Sequence, residues 1–102
     1  MNRIDVYKEK YYFARKLANI YMANFPWIVL MEYCAYKKKG MEHYEEFILI
    51  VWDSGCISTA NNNGNSLTAT ARNMARMLDG GVYENEEFYK NIMGSEEWER
   101  VV

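Results

Sequence analysis

The first segment of the chain spaces its apolar residues three and four positions apart, which is the repeat of an amphipathic helix. The stripe consists of Tyr7, Tyr11, Ala14, Ala18 and Tyr21, with Leu17 and Phe25 beside it. Asn2 or Asp5 can cap the start of this helix, and Pro26 ends it because the residue before a proline avoids the helical conformation. The pattern therefore predicts a helix from about Arg3 to Asn24.

Three segments in the middle of the chain are rich in β-branched, aromatic and other apolar residues, and turn-forming residues separate them. They cover residues 27–36, 44–52 and 56–60. Asp53-Ser54-Gly55 reads as a tight turn, in which Gly55 can supply a positive φ. Three consecutive strands joined by short turns predict an antiparallel meander, with the short third strand at its edge.

A helical repeat returns after the Asn-rich loop at residues 61–65. Asn65 or Ser66 can cap a helix over residues 67–78, and the glycines at 80–81 can end it. Its expected buried stripe is Leu67, Ala71, Met74, Ala75 and Leu78. One face of this helix should therefore cover the sheet.

A shorter helix is predicted from Glu86 to about Met93, capped by Asn85, and a final turn is expected around residues 96–98. The element order is α-β-β-β-α-α, and no linker is long enough to divide domains. We therefore expect one α+β domain over residues 1–102, with a three-stranded antiparallel meander packed against helices.

Composition narrows the class of protein. Half of the 102 residues are apolar, which favours a folded chain. No apolar run approaches the roughly 20 residues of a membrane-spanning helix, and the first residues lack the apolar centre of a secretory signal. Cys34 and Cys56 form no CxxC pair, so we expect reduced, packed thiols. These features predict a cytoplasmic protein that makes no membrane contact.

Catalytic patterns are weak. Nucleophilic catalysis needs a thiol or hydroxyl beside a base, and His43 is the only histidine, in a different part of the predicted meander from Cys34 or Cys56. The acids around His43, at 42, 45 and 46, point alternately to opposite faces of a strand, so at most two could meet one metal ion. They are expected to form a solvated, acidic start to that strand. We expect no enzymatic activity, no metal and no cofactor.

Charge is distributed unevenly along the chain. Residues 1–40 carry eight Lys or Arg against three acids, and residues 41–102 carry four against eleven. Glu84, Glu86 and Glu87 form a compact acidic set, and carboxylates held on a rigid helix can occupy the basic groups of a nucleic-acid-binding protein. The alternative is direct nucleic-acid binding by the basic first helix and by Lys37, Lys38 and Lys39, with neighbouring tyrosines stacking on bases.

The segment 64–93, GNSLTATARNMARMLDGGVYENEEFYKNIM, resembles short uncharacterised proteins carried by conjugative transposons and prophages of Gram-positive bacteria. In element order, and in its YENEEFY stretch at 83–89, the chain is also similar to the anti-CRISPR inhibitors of the type II CRISPR effector nuclease. The resemblance implies a DNA mimic that places acids from a strand turn and from the start of its last helix in a basic cleft. It assigns Asp53 to the turn and Glu84, Asn85, Glu86 and Glu87 to the partner-facing edge.

We therefore expect a non-enzymatic accessory protein of a mobile genetic element that binds a protein with a basic surface. Tyr83 and Tyr89 would add rigid, amphipathic contact area to the acids. Basic groups would be repelled by a basic cleft, so this hypothesis requires the first helix to face away from the acidic segment. A homodimer through the exposed third strand is a further expectation.

Overall fold

The computed structural model describes residues 2–79 and 86–102. Within these ranges the elements are α1 (Arg3–Asn24), β1 (Ile28–Lys38), β2 (Tyr44–Trp52), β3 (Ile57–Asn61), α2 (Leu67–Leu78), α3 (Glu86–Ile92) and β4 (Trp98–Arg100). The glycines at 80–81 and the cap at Asn85, which the sequence predicted as helix boundaries, lie outside the described residues. The predicted bounds of α1, β2 and α2 are confirmed.

Both long helices begin at side-chain caps. The Asn2 side chain accepts a hydrogen bond from the Asp5 N–H at 2.9 Å, and the Ser66 hydroxyl accepts one from the Ala69 N–H at 3.1 Å. Such caps satisfy amides that have no partner inside the helix and stabilise it by about 1 kcal/mol each. The caps explain why the predicted helix starts match those in the structure.

The strands form an antiparallel sheet in the order β3-β2-β1-β4. The α+β class and the edge position of β3 are confirmed. The final turn expected around residues 96–98 is partly wrong, because Trp98–Arg100 is the fourth strand and pairs with Tyr36–Lys38. A strand of three residues gives almost no local signal, since its stability comes from pairing with β1.

The sheet has apolar residues on both faces. Met31, Tyr33 and Ala35 of β1 belong to a core beneath α1 and α2, and the intervening Cys34 and Tyr36 belong to a second core beneath α3. Successive side chains of a strand point to opposite faces, so α3 lies on the face opposite to α1 and α2.

The expected buried stripe of α2 is wrong in part. Its buried residues are Thr70, Asn73, Met74 and Met77. The polar members are held by Asn62, whose side-chain N–H donates to the Thr70 hydroxyl at 2.9 Å and whose carbonyl oxygen accepts from Asn73 at 3.1 Å. These hydrogen bonds compensate for the desolvation of Thr70 and Asn73. The face of α2 that carries these two residues is therefore the buried one.

A buried ion pair joins α1 to the sheet. Lys10 and Glu46 are 6% and 4% exposed, and the Lys10 ammonium donates to the Glu46 carboxylate at 2.7 Å. The same carboxylate accepts from the Tyr33 hydroxyl at 2.7 Å and from the Gly64 N–H at 2.9 Å. The expected solvated start of β2 is therefore wrong for Glu46, and Lys10, a cation of the basic first helix, is buried instead of facing solvent.

Candidate binding surface

The β2–β3 turn is tightly bonded and exposes Asp53. The Gly55 N–H donates to the Trp52 carbonyl at 2.9 Å, and the Asp53 N–H donates to the Trp27 carbonyl at 2.8 Å. Gly55 has a φ of +89°, as the sequence predicted, and a residue with a side chain would be strained there. The backbone bonds hold Asp53 on a rigid support while its side chain remains exposed.

The turn and α3 enclose a shallow cleft. It has a volume of about 410 Å³, and its lining consists of Ser54, Gly55, Cys56, Ile57, Tyr89 and Lys90. The helix ends at Ile92, and Gly94, two residues later, has a φ of +82°, which suits the left-handed conformation that often follows a helix. The cleft therefore places the β2–β3 turn beside α3, the helix whose start the resemblance assigns to a partner.

The predicted contact residues fall into three groups. Asp53 is exposed beside the cleft. Tyr83, Glu84 and Asn85 lie outside the described residues, and of Glu86 and Glu87 only the backbone, in the first turn of α3, is described. Tyr89 is 5% exposed and packs in the second core. Its side chain therefore anchors α3 to the sheet, which the apolar spacing of Tyr89, Ile92 and Met93 could have indicated.

The basic side chains of the two long helices lie in the opposite layer of the molecule. The exposed cations of this layer are Arg3, Lys8, Arg15, Lys16, Arg72 and Arg76. The exposed acids of the same helices are fewer: Asp5 and Glu9 on α1, with Asp79 directly after α2. The first helix therefore faces away from α3, as the acidic-surface hypothesis requires.

The three lysines of the alternative hypothesis do not share one face. Lys37 and Lys38 are part of β1, so their side chains point to opposite sides of the sheet, and Lys39 follows the strand. The Lys38 ammonium lies 6.0 Å from the centre of the Trp98 ring. Tyr36, expected to stack on bases, is buried, and Tyr44 packs against Tyr7 with ring centres 5.5 Å apart.

The two cysteines differ in environment. Cys34 is fully buried, and burial raises the pKa of its thiol to about 12, with the nearby Glu32 carboxylate adding to the effect. Cys56 is exposed, so the expectation of two packed thiols is confirmed only for Cys34. His43 is exposed and lies 2.9 Å from a Glu45 carboxylate oxygen.

This difference predicts a selective reaction and a pH effect. Iodoacetamide should modify Cys56 in the folded protein and Cys34 only after unfolding, which mass spectrometry can follow.

The unfolded state loses its Cys34 proton near pH 9, whereas the folded state keeps it until about pH 12. The contribution to stability is therefore complete below pH 9 and falls above it by up to about 1.4 kcal/mol per pH unit. Cys34→Ala should remove this component, and Cys56→Ala should leave it unchanged.

A second cavity, of about 610 Å³, opens between the starts of α1 and α2. Its lining includes Lys10 and Glu46, which already bond each other, and Tyr44, whose ring lies 4.7 Å below the Arg3 guanidinium. Since these charges are satisfied by the protein itself, we assign the cavity to the packing of α1 on β2. The sequence did not indicate this cavity, because the residues that line it come from segments distant in the chain.

Comparisons with protein-family models, with curated proteins and with solved structures find no match. Across residues 2–79 and 86–102, no three potential metal ligands converge on one point. The helices in these ranges are also too short or too polar to cross a membrane.

Proposed function

We propose that this protein is a non-enzymatic, protein-binding accessory factor of a mobile genetic element. Its binding surface is the β2–β3 turn together with the start of α3, and its partner is a protein with a basic surface. Asp53, Glu84, Glu86 and Glu87 supply negative charge, and Tyr83 supplies apolar contact area. Tyr89 holds α3 in place instead of touching the partner.

The observation that carries this proposal is the position of the turn against α3, on the side of the sheet opposite to α1. The turn and α3 line one cleft, and the core beneath α3 lies on the face of the sheet opposite to the core beneath α1 and α2, which carry the exposed cations. This separation favours approach of a basic partner in one orientation, because attraction and repulsion act on opposite sides of the molecule.

The proposal is tested by reversing charge at the start of α3. The variant Glu84→Lys, Glu86→Lys, Glu87→Lys should lose at least tenfold in affinity for the captured partner in pulldowns from a nuclease-treated Gram-positive cytoplasmic extract. A control with the same charge change is Asp5→Lys, Glu9→Lys, Glu42→Lys, whose acids are exposed away from the cleft. The control should bind like the wild type. Equal binding by both variants would contradict the proposal.

The resemblance suggests a specific partner, the type II CRISPR effector nuclease, which gives an anti-CRISPR-like function. A purified, guide-loaded nuclease should then cleave target DNA more slowly in the presence of the wild type than of the triple-lysine variant. If a protein is captured but cleavage is unaffected, the protein-binding function would be supported and this nuclease would be excluded as the partner. Recovery of nucleic acid from an extract not treated with nuclease, insensitive to substitution of Glu84, Glu86 and Glu87, would instead favour binding through the basic layer.

A further inference from the structure

One edge of β1 is only partly paired in the described residues. The Lys38 N–H donates to the His43 carbonyl on the β2 side of the strand, whereas the Ala35 N–H donates to the Val102 carbonyl on the β4 side. Backbone groups alternate in direction along an antiparallel strand, so Met31 and Tyr33 direct their N–H and C=O groups to the β4 side as well. There β4 pairs only with Tyr36–Lys38, and the adjoining bonds stop at Ala35. Met31 and Tyr33 therefore form an open edge.

A groove runs along this open edge, between β1 and α1. It has a volume of about 260 Å³, and its lining includes Tyr11, Arg15, Asn19, Met22, Leu30 and Glu32. Leu30 is 37% exposed and Val29 is 58% exposed, so apolar surface continues to the start of the strand. An extended peptide laid in the groove could pair with β1 and bury this surface, as in recognition by strand addition.

The charge of the groove is positive. Arg15 and Asn19 line it from α1, and the exposed Lys8 and Tyr12 continue the same helical stripe toward the start of α1. The Glu32 carboxylate is neutralised by the Arg100 guanidinium at 2.9 Å. Lys8 and Arg15 have no ion-pair partner in the described part of the chain, so Arg15 faces an occupant directly and Lys8 adds positive charge beyond the lining.

We propose that the groove binds an extended acidic segment of a partner protein, which adds to the sheet as a strand beside Met31 and Tyr33. The acids of this segment point toward α1, where Arg15 and Lys8 lie. Its intervening apolar residues point to the other face, beside Leu30. The occupant therefore alternates acidic and apolar residues with a period of two. This site is independent of the acidic surface formed by the turn and α3.

A second copy of the chain fits the edge less well. Two β1 strands paired antiparallel across a two-fold axis would place both α1 helices on the same face of a continuous sheet. Their facing flanks would each carry Lys8 and Arg15, and like charges brought together in this way repel. Charge complementarity therefore favours an acidic partner.

A library of displayed random octapeptides, selected against the folded protein, tests this proposal. We expect enriched sequences in which acidic and apolar residues alternate. On binding of the best synthetic peptide, amide hydrogen exchange at Met31 and Tyr33 should slow at least tenfold. N-methylation of the alternate peptide residues whose N–H groups face β1 should abolish binding, whereas N-methylation of the other residues should leave the pairing intact.

Two adjacent cations of α1 provide a matched pair of variants. Arg15→Glu should weaken the peptide at least tenfold, whereas Lys16→Glu, at an exposed position outside the groove, should change its affinity less than twofold. Both variants should give wild-type circular dichroism. Equal effects of the two variants, enrichment without acids, or exchange protection elsewhere would overturn the proposal. It would also be overturned if DNA or self-association protected Met31 and Tyr33 in place of the peptide.

Discussion

Replacing Glu46 by alanine is expected to lower the free energy of unfolding by about 3–5 kcal/mol, because removal of one member of a buried ion pair leaves the other charge without compensation. Lys10 would remain on the buried face of α1 but lose its carboxylate partner at 2.7 Å. The Tyr33 hydroxyl and the Gly64 N–H would also lose their acceptor. Urea unfolding of the wild type and the variant measures the difference.

The neighbouring Glu45 provides the control. It is half-buried and accepts hydrogen bonds near the surface, so Glu45→Ala should cost less than about 1 kcal/mol. The double variant Lys10→Met, Glu46→Leu should recover part of the loss seen for Glu46→Ala, since an apolar pair leaves no uncompensated charge, whereas the Tyr33 hydroxyl and the Gly64 N–H still lack their acceptor. Similar losses for Glu46→Ala and Glu45→Ala would show that the ion pair contributes little to stability.

The ion pair also shows where sequence patterns stop being informative. Lys10 lies among other basic residues of α1, and Glu46 lies among the acids at the start of β2, so each resembles a member of a solvated group. Their burial depends on a contact between residues 36 positions apart. No local periodicity encodes such a contact, because it arises only when α1 crosses the sheet.

Local chemistry was sufficient for most element boundaries. Pro26 and the caps Asn2 and Ser66 act within a few residues, so their effects can be predicted without knowing the fold. Strand β4 could not be predicted in this way, because it exists through its pairing with β1. The buried face of α2 was missed for a related reason: hydrogen bonds to Asn62, and not apolarity, bury Thr70 and Asn73.

The candidate binding surface was predictable in its parts but not in its assembly. The Asp53-Ser54-Gly55 turn follows from turn chemistry, and the helix that begins at Glu86 follows from its acidic first turn. That the two segments meet depends on α3 packing on the face opposite to α1. The sequence contains this information in the apolar spacing of Tyr89 and Ile92, but a two-faced core is evident only once the sheet is formed.

Truncation of Tyr89 to alanine should be as damaging as loss of Glu46, with a cost of about 3–5 kcal/mol for removal of a buried aromatic side chain. The helix α3 has only seven residues, too few to be stable alone, so it depends on the contacts of Tyr89 and Ile92 with the sheet. Loss of Tyr89 should therefore also weaken binding of the basic partner. Thermal unfolding and partner titration of the same variant measure the two effects.

Tyr89→Phe separates packing from recognition. No hydrogen bond of the Tyr89 hydroxyl is found within the described residues, so phenylalanine should keep both stability and partner affinity close to those of the wild type. If Tyr89 instead met the partner directly through its hydroxyl, Tyr89→Phe would bind weakly while remaining stable. If α3 carried no part of the binding surface, Tyr89→Ala would lose stability without losing affinity at temperatures where it is folded. The three patterns distinguish an anchoring residue from a contact residue, and both from a helix that only covers the core.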